Sequence, residues 1–264
     1  MRDVVMSLVA SVIAGTAVWL GQRLLRYRRL ARKRAFFGVS PATGCVLVSP
    51  RHFSSPQPAS VHRLDVAALV ELATIVNECG GRAEVVTEDS GLRGVGRMPE
   101  FCVGGPTANP RTAAHLRSLV PGVHFERPRS ADDYLTIRVD GASYRREAGT
   151  AEYAVLAKTH LPGTGHSLFL LTGQTARTNL AAARLLRSRY RSLLRSYRAS
   201  GRFCLVLRIV EPETYGPDLV EVAADVTGPA FRRPAPPVPA QPGAAAPESD
   251  PDDDATASAS ADPA

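Results

Sequence analysis

The sequence predicts a Rossmann-like α/β domain with a mostly parallel sheet and a β-hairpin insertion, preceded by one N-terminal transmembrane helix and followed by a disordered tail. Three observations lead there. From residue 39 to residue 227, apolar runs of strand length alternate with segments of helical periodicity, as a sheet covered by crossover helices requires. The two ends differ in composition from this middle, one uncharged and then basic, the other rich in proline and acid. The 264 residues, 44% hydrophobic and 22% charged, suffice for one well-cored domain with appendages. That balance excludes a chain that is disordered throughout or collagen-like.

Residues 1–22 are expected to be the transmembrane helix. Residues 4–20 carry no charge, and as a helix they are about 25 Å long against a hydrocarbon core of ~30 Å. Gly21, Gln22 and a snorkelling Arg23 supply the missing turn, and Trp19 and Tyr27 stand where aromatic rings settle at an interface. A cleaved signal peptide carries its positive charge before the apolar run and small residues at its exit, whereas here the basic residues follow and Val18-Trp19-Leu20 fills the exit. The positive-inside rule then gives a single-pass inner (plasma) membrane protein with its N-terminus outside and its domain in the cytoplasm, the bilayer being the partner of residues 4–22.

Residues 23–38 form a basic juxtamembrane helix. Arg23, Arg26, Arg28, Arg29, Arg32, Lys33 and Arg34, with Arg2 and the single acid Asp3, account for the whole net charge of +7. Anionic lipid headgroups are their expected partner, at about 1 kcal/mol per basic residue.

In the domain, residues 39–227, the run 45–48 (CVLV) between Gly44 and Ser49-Pro50 reads as a buried strand. Residues 61–79 place Val61, Leu64, Ala68, Leu69, Leu72, Ile75, Val76 and Cys79 at helical spacing before Gly80-Gly81. Strands follow at 83–86 and 101–103, then a helix at 111–119. Residues 134–139 and 143–146, joined by Asp140-Gly141, make the hairpin. Residues 152–159 and 167–172 are strands, 176–199 is the longest helix, 203–210 is a core strand and 220–226 an edge strand. Residues 228–264 hold nine of the 21 prolines and six acids with almost no large apolar residue after Phe231; they form the expected disordered tail.

In open α/β sheets ligands bind at the carboxyl ends of strands, near helix N-termini. Four segments lie there: residues 49–60, 87–97, 104–112 and 173–179. Glycine followed by Thr or Asn leaves backbone N–H groups open to an anion, although the same residues are ordinary caps. The residues expected to line a pocket are Ser49, Arg51, Gly104, Gly105, Thr107, Asn109, Gly173 and Thr175. No phosphate-binding P-loop, dinucleotide fingerprint, hydrolase or kinase motif is present.

His160 and His166, across one turn, read as a loop pair rather than a metal site, and no metal site is expected. Cys45, Cys79, Cys102 and Cys204 sit in apolar segments without a C-x-x-C pair and read as buried thiols. Along the longest helix Arg184, Arg187, Arg191, Arg195 and Arg198 line one face. With 30 arginines and two lysines in the chain, that stripe reads as a solvated face, and sparse aromatic residues argue against nucleic acid.

Residues 101–109 (FCVGGPTAN), 153–158, and 167–173 (SLFLLTG) with Thr178 and Ala181 downstream resemble uncharacterised bacterial membrane-anchored proteins with a cytosolic Rossmann-like domain of the sensor or effector-associated kind. That resemblance implies a nucleotide or nucleotide-derived ligand and transfers no catalytic residue and no cofactor. The resulting expectation is a sensing or regulatory module that binds a nucleotide or other small phosphorylated ligand. Its alternatives are a nucleotide-processing hydrolase or glycosyl-bond-cleaving enzyme, with His52, Glu88 or Asp89 as acid/base, and a membrane-anchored scaffold without ligand.

Overall fold

The computed structural model describes residues 1–57, 60–87, 96–126 and 136–233, and its elements follow the apolar runs of the sequence. In chain order they are α1 (Arg2–Phe37), β1 (Cys45–Ser49), α2 (Arg63–Glu78), β2 (Ala83–Thr87), β3 (Glu100–Val103), α3 (Pro110–Leu119), β4 (Val123–Glu126), β5 (Thr136–Val139), β6 (Ala142–Tyr144), β7 (Ala151–His160), β8 (Ser167–Gly173), α4 (Ala176–Tyr197), β9 (Phe203–Val210), α5 (Pro212–Tyr215), β10 (Val220–Asp225) and α6 (Thr227–Ala230).

The main sheet has seven strands in the order β10-β9-β7-β8-β3-β1-β2. β1 pairs in parallel with β2 and β3, and β3 with β8; β7 runs antiparallel to β8 and β9, and β10 antiparallel to β9. The α/β class and the mostly parallel direction are as expected, and the reversal of β7 and of the edge strand β10 is the difference. Residues 161–166 alone join β7 to β8, far fewer than the dozen or so that a parallel crossover needs. Their chain turns back through Gly163 and Gly165, both at positive φ.

The hairpin forms over Asp140 and Gly141, both at positive φ, as a tight two-residue turn requires. It is not inserted in the main sheet. With β4, which the sequence reading did not foresee, β5 and β6 make a separate antiparallel sheet in the order β4-β5-β6.

One face of the main sheet is covered by α2, α4 and the end of α1, which enclose Leu47, Leu72, Phe101, Phe169, Leu186 and Phe203. The other face buries Val46, Val48, Cys102 and Leu170 against Leu116 of α3, Ile137 of β5 and Ala230 of α6. All four cysteines are buried free thiols, and burial pushes the Cys45, Cys102 and Cys204 thiols up, out of the reactive range.

The N-terminal segment corrects the sequence reading. Among the described residues no helix is long and apolar enough to cross a membrane, so the transmembrane helix at residues 1–22 is withdrawn, and the inner-membrane, single-pass arrangement derived from it falls with it. The physical reason is length: seventeen residues make a helix of about 25 Å against a hydrocarbon core of ~30 Å. The seventeen-residue run includes Ser7, Ser11, Gly15 and Thr16 and is short of a span before the arginines begin.

Nor is there a boundary near residue 22. α1 continues unbroken to Phe37 and stops at Gly38, whose φ of 70° is the left-handed cap glycine allows. Its last two turns belong to the domain core. Phe36 and Phe37 are fully buried; Lys33 donates to Glu78, and Arg34 Nε donates to the Cys79 carbonyl at 2.8 Å. Phe36 lies against Phe169 and Phe203, with the buried Lys158 ammonium 4.5 Å from its ring centre. That ammonium donates to the Ala199 carbonyl, and burial lowers its pKa to about 8.

At the other end the folded chain runs past residue 228. α6 seats Ala230 in the core, and the Gly122 N–H donates to the Ala230 carbonyl at 2.9 Å. The rest of the expected tail, from residue 234, lies outside the described residues.

Candidate functional site

β1 is flanked by β2 on one side and β3 on the other, so the connections leaving β1 and β3 diverge at their carboxyl ends and leave a crevice. A cleft of about 620 Å³ lies there, within the roughly 300–1,000 Å³ typical of small-molecule sites. Its walls are the loop after β1, the loop after β3, the end of β8, the first residues of β7 and the first turns of α2 and α4. β7 contributes because its reversal brings its N-terminal end to this side of the sheet.

Short bonds hold the loops in place. The Arg51 N–H donates to the Ala108 carbonyl at 3.0 Å, tying the β1 loop to the β3 loop, and the His52 N–H donates to the Ser60 carbonyl at 2.7 Å, closing the β1 loop on itself. Gly104 has φ +99°, and a Cβ there would stand 2.5 Å from the Pro50 Cβ, so only glycine lets the two strand ends approach. At Gly173 a Cβ would stand 2.0 Å from Thr178 Oγ1, which makes that glycine a packing residue for α4. Thr175 caps α4 by accepting from the Thr178 N–H.

Six of the eight residues expected from sequence line the cleft: Arg51, Gly104, Gly105, Thr107, Gly173 and Thr175. Ser49 and Asn109 do not. Ser49 is buried with its hydroxyl on the Pro50 carbonyl. Asn109 is fully buried, accepts from the N–H groups of Arg111 and Thr112 as the cap of α3, and donates to the Val103 carbonyl at 2.8 Å. Their polar atoms are spent on the fold.

The structure adds charged residues that the sequence reading passed over. Glu152, 1% exposed at the start of β7, accepts from Arg146 Nε at 2.9 Å and from the Thr175 hydroxyl at 2.7 Å, with Arg177 Nη1 3.6 Å away. Asp65, in the first turn of α2, accepts from Asn179 Nδ2 at 2.8 Å. Desolvation raises its pKa to about 6 against the pull of that hydrogen bond and of His52. The available signal was an acid inside an otherwise apolar strand or helix face. Gln174 stitches the site to the small sheet, accepting from the Tyr153 N–H and donating to the Tyr144 carbonyl.

Overall the cleft carries Arg51, Arg63, Arg146 and Arg177 against Asp65 and Glu152. The first turns of α2 and α4 add partial positive charge, since their leading N–H groups have no partner within the helix. His62 caps α2, its Nδ1 accepting from the Leu64 N–H at 3.2 Å; burial, then His52 and Arg63, lower its pKa. The His52 and His62 rings meet edge to face with centres 5.1 Å apart. Of the expected acid/base residues, His52 reaches the cleft, while Glu88 and Asp89 lie outside the described residues.

Away from the cleft, Glu100, Cys102 and His115 bring three ligand-type atoms within 4.8 Å of one another, all buried. One oxygen, Glu100 Oε1, accepts from Cys102 at 2.9 Å, meets His115 Nε2 at 3.0 Å and faces Arg111 Nε at 3.5 Å. Burial works to raise this carboxyl's pKa, yet these partners hold it below the usual value. The thiol, the imidazole and the guanidinium all gather on Oε1, while the buried Oε2 has no hydrogen-bond partner among the described residues. His160 and His166 join no group of three ligands among the described residues. On α4, Arg184 and Arg187 pair with Glu71, Glu78 and Asp218, so that part of the arginine stripe is spent on neighbouring elements.

No protein-family model matches the chain, and no curated protein matches it. The class defined by the geometry is therefore an α/β protein with a positively charged cleft at the strand switch point.

Proposed function

We propose that this protein binds a nucleotide or other small phosphorylated ligand in the cleft and acts as a sensing or regulatory module. The observation that carries this reading is the convergence of four arginines and two helix N-termini on one cavity at the carboxyl ends of β1, β3 and β8. Oriented N–H groups and guanidinium forks are the groups that recognise phosphate oxygens. Thr107, Thr175 and the backbone at Gly104 and Gly105 supply neutral contacts between them.

The test is calorimetric titration of the full chain with nucleoside mono- and diphosphates, ribose 5-phosphate and inorganic phosphate, repeated with Arg51→Ala. Among the described residues the Arg51 side chain makes a single long bond, 3.5 Å to the Thr107 carbonyl, so removing it is expected to spare the fold. Binding that weakens about tenfold in the variant is the expected result for one lost charge-assisted contact. No binding of any of these compounds overturns the reading.

An enzyme is the second reading, favoured by Asp65. A carboxyl with a pKa near 6 inside a ligand-sized cleft, beside a histidine, suits general acid/base work on a nucleotide's phosphoester or glycosyl bond. Product analysis after long incubation with each nucleotide tests it: turnover that Asp65→Asn abolishes makes the protein an enzyme, and intact nucleotide leaves it a binder.

A further inference from the structure

The cleft is chemically polarised along the sheet. Its lining follows the strand order β7-β8-β3-β1. At the β7 and β8 end stand Arg146, Glu152, Thr175 and Arg177; at the β1 end stand His52, Phe53, His62 and Leu64. Two strand spacings separate β8 from β1 and three separate β7 from β1, about 10–14 Å, so an inorganic phosphate cannot touch both ends.

Phe53 is the unexplained residue of that second end. It is 64% exposed, yet it sits on a tied turn: the Ser55 N–H donates to the His52 carbonyl at 3.1 Å, the Gln57 N–H to Ser55 Oγ at 3.1 Å, and the Ser60 hydroxyl to the Gln57 carbonyl at 2.8 Å. The backbone that carries the ring is thus tied, and the ring is presented to water at the rim of the cleft. A lone exposed aromatic residue is ordinary. One that shares a ligand-sized cleft with a paired imidazole and an arginine cluster has a specific use, because every nucleobase has a π face that an aromatic ring can stack upon.

We propose that Phe53 is a base-stacking platform beside the His52–His62 pair, and that the ligand is a nucleotide lying along the strand ends, its base on Phe53 and its phosphate at Thr175 and Arg177. This rests on the phosphorylated-ligand reading and narrows it to nucleotides over sugar phosphates. Specificity among bases is set only by what their edges meet; the platform itself accepts any of them.

The experiment titrates the full chain with the four common nucleoside 5′-monophosphates and with ribose 5-phosphate, in the native protein and in Phe53→Ala and Phe53→Trp. Both variants alter a solvent-exposed side chain, so the fold is retained. The expected result is that at least one nucleotide binds native protein about tenfold or more tightly than ribose 5-phosphate, that Phe53→Ala removes this advantage while leaving ribose 5-phosphate unchanged, and that Phe53→Trp restores it. Equal binding of nucleotides and ribose 5-phosphate, or an equal loss of both in Phe53→Ala, overturns the platform while the anion cleft stands. Absence of binding by every compound overturns both.

Discussion

Asn179 Nδ2 donates to Asp65 Oδ1 at 2.8 Å across 114 residues of sequence. The bond joins the first turn of α2 to the start of α4 under the cleft, so the two helix N-termini that define the site are fastened to each other. Asp65 is 5% exposed and has no cationic partner among its described hydrogen bonds and ion pairs. Its energetics therefore depend on pH.

Because burial raises the Asp65 pKa from 3.8 to about 6, the protonated carboxyl favours the folded state. That contribution is fully present below about pH 3.8 and is lost as pH rises through about 6. Asp65→Asn keeps the acceptor for Asn179 and removes the charge. It is expected to be more stable than native protein above pH 6, by up to about 3 kcal/mol, and equal to it near pH 4. Denaturant unfolding at a series of pH values measures this; a difference independent of pH refutes it.

Glu152 holds Arg146 and Arg177 together, and its isostere separates fold from function. In Glu152→Gln the two guanidinium groups lose their counter-charge but remain partly solvated, at a cost of about 1–3 kcal/mol. A fall in Tm of roughly 5 °C is expected, together with tighter phosphate binding, since the cleft becomes more positive. Weaker phosphate binding would show that Glu152 orients the arginines more than it opposes the ligand.

Gly173 is expected to matter for packing alone. Gly173→Ala places a methyl group 2.0 Å from Thr178 Oγ1 and should cost about 1–3 kcal/mol by overpacking the start of α4. Thermal unfolding measures the loss, and a variant as stable as native protein would contradict the described contact.

The two halves of α1 should respond differently. Phe36 is fully buried, whereas Leu24 is 50% exposed. Phe36→Ala is expected to cost about 3–5 kcal/mol, and Leu24→Ala less than about 0.5 kcal/mol. Equal effects in chemical denaturation would contradict the docking of the helix end.

The sequence by itself determined what depends on neighbours in the chain. Alternating strand and helix periods, the Asp140-Gly141 turn, the Thr175 cap and the glycines at strand ends are local properties, and they led to the α/β class and to six residues of the cleft. Asn109 and Ser49 show the limit of that reasoning, because a polar residue at a strand end serves a cap or a ligand equally well until its partners are known. Only the tertiary structure decided that β7 runs backward and so brings Glu152 to the cleft, that Asp65 meets Asn179, and that Arg146 arrives from beyond the hairpin. It also moved the end of α1 from an expected lipid surface into the core, where Phe36, Phe37 and Lys33 find partners from β8, β9 and α2. The reason is the same in each case: periodicity states which face of an element is apolar, whereas packing alone states which other element, and which charge, lies against it.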